Sequence, residues 1–281
     1  MQGASQIETP AAAETVRGTA GPSMNARVRS WLAVGLPPLI ALVVLVVGWE
    51  FWVREREVAE YLVPRPSAVL EALRDDPGRY VTAARESLTA ALAGLTVASF
   101  GAFGLAVVMA HSRLLERALY PPALLLKLTP IVAVYPLFAI WFGFGLWPKV
   151  AIAALITFFP MLVNALIGLR AVDPAALDFM RALDASRWRV LWSLRMPSSL
   201  PYVFAALRIS VPLSLIGAVV AEFLSGSSGM GQLILIANGD FDTPTLFGAI
   251  VVLAALGVAL TGIVAYIERR VLFWHESMTG P

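Results

Sequence analysis

Residue types that carry out chemistry are scarce in this sequence of 281 residues. There is no cysteine, and the two histidines, His111 and His275, lie far apart along the chain. Thiolate chemistry is therefore excluded, and a histidine metal centre is not expected. The glycine-rich stretch SGSSGMGQ at 225–232 lacks the lysine of a phosphate-binding loop. A turn is the favoured interpretation, ahead of a contact with a partner protein. We expect no catalytic site, no cofactor and no ATP hydrolysis on this chain.

The composition indicates a membrane protein. Hydrophobic residues make up 58% of the chain and charged residues 14%, whereas a typical soluble domain has about 25% charged residues. A soluble fold of this length would need a charged surface that these residues cannot supply. The formal net charge of +2, with no basic cluster, gives no indication of nucleic-acid binding.

Six apolar runs are long enough to cross a bilayer, which takes about 20 residues. They lie at approximately 31–52, 88–110, 121–143, 150–169, 202–224 and 245–267. The sequence therefore predicts an all-α integral membrane domain over 31–281, with about six transmembrane helices. Residues 1–30 have the composition of a disordered cytoplasmic tail. The first run is too long for a signal-peptide core and should remain as an anchor.

Arginine and lysine positions predict the orientation of these helices. The segment 170–199 contains five arginines, whereas the segment 225–243 contains none. The first of these segments is therefore expected in the cytoplasm, together with both termini.

A stripe of small residues in the second run predicts close helix packing. Ala90, Gly94, Ala98 and Ala102 recur every four residues and should lie on one helix face. Such faces let two membrane helices approach closely. Packing is favoured over a ligand role.

Prolines and charges inside the runs are weaker candidates for a transport path. Pro130 and Pro136 remove backbone donors within the third run, which is tolerated at breaks that line a path or at simple kinks. Glu222, near the outer end of the fifth run, could gate the path, hold a dimer or be solvated at the interface. Lys127 and Arg208 fall near the predicted inner ends of their runs. Snorkelling to the interface is favoured over path lining for both.

The segment 170–200 is long for a connection between membrane helices and has helix signals of its own. Asp173 is a good N-cap, and Pro174 fits the first position of a helix. Asp184 should interrupt that helix, and Ser186 can cap a second helix. The second helix is expected to run over RWRVLWSLR and to stop before Pro197.

The first helix of this segment has an apolar face. Ala176, Phe179, Met180 and Leu183 share it, while Asp178 and Arg181 lie off it. This face could rest on the bilayer or the helix bundle, or it could dock into a groove on a soluble partner. The pattern alone does not separate the two.

The segment resembles the EAA loop of bacterial ABC importer permeases. That loop has an acid, two small residues, three further residues, a glycine, and then nine residues before a hydrophobic-x-hydrophobic-proline ending. Here the acid position is Asp178, the small positions are Phe179 and Met180, and the glycine position is Asp184. The ending is Leu194–Pro197, with Pro197 at the proline position. The spacing agrees throughout, although the glycine and both alanines are replaced.

Further motifs extend the resemblance to roughly residues 60–275. TPIVAVYPLFAIWFGFGLWPKVAI, TFFPMLVNALIGLRAVDP, GAVVAEF, SSGMGQLI and IERRVLFWH are all similar to nitrate/sulfonate/taurine-type permeases. The resemblance implies a type I ABC importer permease fold in the bacterial cytoplasmic membrane. It further implies a second permease subunit, forming a homodimer, a cytoplasmic ABC ATPase dimer that binds ATP, and an extracytoplasmic solute-binding protein.

The resemblance also assigns an ATPase-coupling role to the loop. The residues to which the resemblance assigns this coupling role are Asp178, Phe179, Met180, Arg181, Leu183, Asp184, Ala185, Ser186 and Pro197. The stretch AEFLSGSSGMGQLILIANGDFDTPTLF is more similar to permeases for riboflavin or for the pyrimidine precursor of thiamine. Sulfonate, taurine or nitrate remain alternatives as solutes. An ion-coupled secondary transporter is a more distant alternative, because the runs lack midplane acids and histidines.

Overall fold

The computed structural model describes residues 24–273, with side-chain surroundings from residue 36 onward. Most of the predicted tail, and His275, lie outside the described residues. All regular structure in the described part is helical. The α-helices are α1 (Met24–Glu55), α2 (Pro66–Asp75), α3 (Pro77–His111), α4 (Arg113–Leu128), α5 (Ile131–Phe142), α6 (Leu146–Arg170), α7 (Pro174–Ala182), α8 (Arg187–Val190), α9 (Met196–Ser225), α10 (Met230–Gly239) and α11 (Thr243–Val271), with a π-helical turn at Leu191–Arg195.

Five stretches of the described chain are long and apolar enough to cross a membrane. They are Leu36–Glu55, Pro77–His111, Leu146–Arg170, Arg187–Ser225 and Thr243–Val271. The pair α4 and α5 adds a sixth span if its two helices, bent by 100° to each other, are counted together. These observations confirm the prediction of an all-α chain with about six apolar spans.

The third apolar run, predicted at 121–143 with a break or a kink at its prolines, is broken at the first of them. Thr129 has extended backbone angles, φ −71° and ψ 127°, and ends α4. Pro130 then precedes the first turn of α5. A residue before proline is pushed out of the helical region by the proline ring, which explains the break at Thr129. Pro136, by contrast, lies inside α5 without ending it.

The chain divides into two compact units, Met1–Trp52 and Val53–Pro281. In the first unit, the described structure is the greater part of α1, an apolar helix that contains Pro37 and Pro38. The second unit contains all the other helices, and every candidate site residue belongs to it.

The second unit is built around the packing of α3, α6 and α9. Ala90, Gly94, Ala98 and Ala102 of α3 are all buried, as the small-residue stripe predicts. A Cβ atom added at Gly94 would lie 2.5 Å from the Cβ atom of Ala153 in α6. Only glycine allows this approach of α3 to α6, so the stripe is confirmed as a packing surface.

Candidate functional site

The helix α7 begins where the sequence predicted a cap. The Asp173 carboxylate accepts a hydrogen bond of 3.0 Å from the backbone N–H of Ala175. Pro174 occupies the first helical position, where the N–H group that proline lacks is not needed. The start of the loop helix is therefore fixed locally.

The helix α7 ends in a Schellman turn at the position where the family pattern has glycine. Asp184 adopts φ +49°, in the left-handed region. Its N–H group donates to the carbonyl of Arg181 at 3.0 Å, and the N–H group of Ala185 donates to the carbonyl of Met180 at 3.0 Å. This pair of bonds satisfies two carbonyls at the end of the helix that have no partner within it. Aspartate tolerates left-handed angles better than most residues, so the turn survives the replacement of glycine.

The second loop helix is capped as expected but does not stop at Pro197. The Ser186 hydroxyl accepts a hydrogen bond of 3.3 Å from the N–H group of Arg189. The chain then passes through the π turn at Leu191–Arg195 directly into α9, so that helical structure is continuous from Arg187 to Ser225. A proline ring clashes with the carbonyl four residues before it in an α-helix, and the wider π turn precedes Pro197. The predicted stop was wrong.

The predicted apolar face of α7 is only partly covered. Ala176 and Met180 are half-buried against the rest of the chain. Phe179 and Leu183 are 64% and 61% exposed. Asp178 lies beside them and forms an ion pair with Arg181 at 2.8 Å. The helix therefore presents two large apolar side chains, next to a charged pair, away from its own subunit.

Two arginines hold the ends of this loop to the junction of α3 and α4. Arg170 forms two hydrogen bonds with the carboxylate of Glu116 at 2.7 and 2.6 Å. Arg195 donates to the backbone carbonyl of Ala110 at 3.0 Å. These contacts join segments more than 50 residues apart, and no local pattern in the sequence indicated them. Both ends of the loop are therefore anchored at the same junction.

Glu222 belongs to a buried polar cluster at the opposite end of α9. Its carboxylate accepts hydrogen bonds from the Ser87 hydroxyl, at 2.9 Å to Oε1 and 2.8 Å to Oε2, and from the N–H group of Gly231 at 2.8 Å. The Lys149 ammonium lies 3.8 Å from Oε1 and donates to the carbonyl of Ser228. Glu222 is fully buried in the chain, so solvation at the membrane interface does not account for it.

The glycine-rich stretch forms the other wall of this cluster. It contains a turn and the start of α10, as the turn interpretation predicted. Gly229 has φ +134°, and a Cβ atom added there would lie 2.2 Å from the carboxylate carbon of Glu222. Glycine is thus required both by the backbone angle and by the approach of the carboxylate. Sequence reasoning found Glu222 but missed Ser87 and Lys149, which lie far from it along the chain.

Two further charged residues lie inside the other apolar helices. Arg208 forms an ion pair at 2.5 Å with Glu268 in the last turn of α11, and its place near the inner end of its run stays a prediction. Lys127 lies over the ring of Phe159, 5.0 Å from its centroid. Phe159 is near the middle of α6, so the Lys127 ammonium lies beside the middle of that helix and not beside one of its ends.

The arrangement defines a polytopic helical membrane subunit with an exposed loop helix and without a catalytic cluster in its described part. A model of the family "Binding-protein-dependent transport system inner membrane component" matches residues 81–273. The chain therefore belongs to this family of ABC importer permeases, whose ATPase is a separate subunit.

Three relatives are similar over most of the chain. The riboflavin transport system permease protein of Chloroflexus aurantiacus is 37% identical over 263 residues, which are 90% of this chain and 97% of that protein. The formylaminopyrimidine transport permease protein of Halalkalibacterium halodurans is 30% identical, over 86% of this chain and 96% of that protein. The taurine transport system permease protein of Escherichia coli is 30% identical, over 83% of this chain and 88% of that protein.

A solved structure supports the fold. The crystal structure of an amino acid ABC transporter aligns with a TM-score of 0.57 and 16% sequence identity, covering 72% of this chain and 97% of that chain. At this identity the likeness concerns the fold, which is the type I ABC importer permease fold.

Proposed function

We propose that this permease imports a small vitamin-like heterocycle, of the class of riboflavin or the pyrimidine precursor of thiamine. Two full-length relatives carry such solutes in their names, and the riboflavin relative has the higher identity, 37% against 30% for the taurine relative. A sulfonate, taurine or nitrate solute is the second candidate, because the taurine relative also covers most of the chain. An ion-coupled mechanism is no longer favoured for a member of this family.

The coupling of transport to ATP is assigned to α7. The observation that carries this proposal is the exposure of Phe179 and Leu183 on a helix whose two ends are fixed by the Asp173 cap and the Asp184 turn. Rigid apolar anchors of this kind fit a groove on a partner, here the cytoplasmic ATPase dimer. The adjacent Asp178, Met180, Arg181, Ala185 and Ser186 complete the docking surface.

Motion of the docked loop reaches the membrane helices through continuous structure. From Arg187 onward the helix runs without interruption to Ser225, past the Pro197 position of the loop motif. Arg195 holds the same segment to the end of α3. ATP-driven closure of the ATPases would therefore move α3 and α9 together, provided that the loop is bound more tightly in one state than in the other.

The translocation path is assigned to the broken span and the outer polar cluster. Pro130 lies at the 100° bend and Pro136 within α5, where freed backbone carbonyls need polar partners. Glu222 and its cluster close the other end of α9. We assign the gate of the path to these two regions.

The remaining parts of the assembly follow from the family. They are a second copy of this chain, an extracytoplasmic solute-binding protein, and a bacterial cytoplasmic membrane crossed with both termini inside. The arginines of 170–199 favour this orientation through the excess of positive charge on the cytoplasmic side.

The decisive experiment reconstitutes the permease, its ATPase and its solute-binding protein in proteoliposomes. ATP-dependent accumulation of riboflavin or of formylaminopyrimidine is expected, and the binding protein alone should bind the same solute. Accumulation of taurine or ethanesulfonate in place of these would establish the second candidate. Uptake driven by a proton gradient, with an ATPase that cannot hydrolyse ATP, would contradict the mechanism.

A further inference from the structure

Lys127 lies at the break between α4 and α5. It is the second-last residue of α4, next to the 100° bend at Thr129 and Pro130. Its ammonium group lies over the ring of Phe159, and the ring of Tyr120 lies 6.1 Å from the same ring. Phe159 is buried and Lys127 is exposed. The lysine therefore covers the aromatic ring on one side, and its other side is not covered by the chain.

This lysine lies beside the middle of α6. At 1.5 Å per residue, Phe159 is about 17 Å from the Arg170 end of α6 and about 20 Å from the Leu146 end. The four-carbon stem of a lysine is short against both distances. The contact with Phe159 therefore disfavours the snorkelling that the sequence favoured.

The ionic partners of two other cations on the apolar helices set Lys127 apart. Lys149 faces Glu222, and Arg208 faces Glu268. Among the side chains that the structure describes, no carboxylate lies within ion-pair distance of Lys127. A charge among apolar membrane helices is costly, and the attraction of the Phe159 ring offsets only part of that cost. Retaining such a charge requires a use for it.

We propose that the Lys127 ammonium is the polar contact of the solute in the translocation path. It would donate hydrogen bonds to an oxygen acceptor on the solute, while Phe159 holds the ammonium in place. Broken helices at mid-membrane place substrate sites in many transporters, and Lys127 is beside such a break. The assignment rests on the proposed import function and extends it to a solute class. Neutral or anionic solutes with acceptor oxygens are accepted, and solutes with a fixed positive charge are rejected.

The acceptor oxygen could belong to a ring carbonyl or to a sulfonate. Equilibrium binding of riboflavin, ethanesulfonate and thiamine to the purified permease–ATPase complex in nanodiscs, without binding protein, separates these sources. Thiamine carries a fixed positive charge and should bind least. Preference for riboflavin supports the carbonyl source, and preference for ethanesulfonate supports the sulfonate source.

Three variants test the role of the charge. Lys127→Met should weaken binding of the preferred probe by about tenfold or more, since a hydrogen bond from a charged donor is lost. Lys127→Arg should restore most of the affinity. Arg117→Met removes a cation from the exposed side of the same helix and should leave binding unchanged.

Two readouts keep this proposal separate from the import function. Lys127→Met should retain stimulation of the ATPase by the loaded binding protein, which shows that the variant is folded and coupled. Unchanged probe binding by Lys127→Met, equal binding of thiamine, or no probe binding by a wild-type complex that still transports would each overturn the site. Absence of ATP-dependent uptake by the wild-type assembly would instead overturn the import function.

Discussion

The hydroxyl of Ser87 lies 2.9 and 2.8 Å from the two carboxylate oxygens of Glu222 and accepts a hydrogen bond of 2.9 Å from the N–H group of Met230. One serine thus joins α3, α9 and the first turn of α10. Lys149 of α6 approaches the same carboxylate. Four helices therefore meet at a buried polar contact, and its strength depends on every member keeping its partner.

Loss of the Glu222 charge should destabilise the permease strongly. Glu222→Gln leaves the Lys149 ammonium buried opposite a neutral group, and breaking a buried pair from one side costs about 3–5 kcal/mol. The expected change is a fall of about 3 kcal/mol in the free energy of unfolding, measured by SDS titration of the purified protein.

The double variant Glu222→Gln, Lys149→Met is the control for this prediction. It removes both charges, so it should recover a large part of the lost stability. If the double variant is as unstable as the sum of the two single variants, the ion pair is not the cause.

The turn at Asp184 should accept glycine but not a branched residue. Asp184→Gly relieves the left-handed backbone and should leave transport at the wild-type level or above it. Asp184→Val places a β-branched side chain at φ +49°, which costs about 1–2 kcal/mol. ATPase binding should therefore weaken by about tenfold in the valine variant, as measured by titration in nanodiscs. Equal ATPase affinity of both variants would show that the Schellman turn does not position α7.

Local patterns predicted the loop well because its determinants are local. The cap at Asp173, the turn at Asp184 and the cap at Ser186 each involve residues within five positions of one another. Local patterns could not predict that the helix continues past Pro197. Helical structure continues past it because Leu191 of the π turn is buried in the core with Leu169 and Ala206, which are distant in sequence.

Contacts between distant residues also limit what local patterns predict for the apolar helices. Pro130 and Pro136 look alike in the sequence, yet the chain bends at the first and continues through the second. Tyr135, next to Pro136, is buried against Ile152 and Ala221, and this packing holds α5 together at that point. Glu222 has partners 73 and 135 positions away, Lys149 and Ser87, and no periodicity in the sequence relates them.

Truncation of the two exposed side chains on α7 should weaken ATPase binding without unfolding the permease. Phe179→Ala and Leu183→Ala each remove a large apolar group that makes little contact with its own chain. Truncating an interface anchor of this kind weakens the binding free energy by about 1–2 kcal/mol or more, which predicts about a tenfold loss of affinity. Thermal unfolding of the isolated permease should stay unchanged.

Leu62→Ala is the matched control for these variants. Leu62 is 61% exposed, like Leu183, but it lies between α1 and α2. With the N-terminus inside and α1 crossing the membrane, this segment is expected on the outer side. Its truncation should leave ATPase affinity at the wild-type level. A similar loss for Leu62→Ala and Leu183→Ala would contradict docking through α7.

Single cysteines should report on which side of the membrane the loop lies, because the natural chain contains none. Leu183→Cys should react with a membrane-impermeant maleimide only in inside-out vesicles, since the arginines of 170–199 predict that this segment faces the cytoplasm. Leu62→Cys should react only in right-side-out vesicles. Added ATPase should protect Leu183→Cys and leave Leu62→Cys reactive, because only the first lies on the proposed docking helix. Labelling of Leu183→Cys from outside would place α7 beyond the reach of any cytoplasmic ATPase, and the coupling mechanism could not operate.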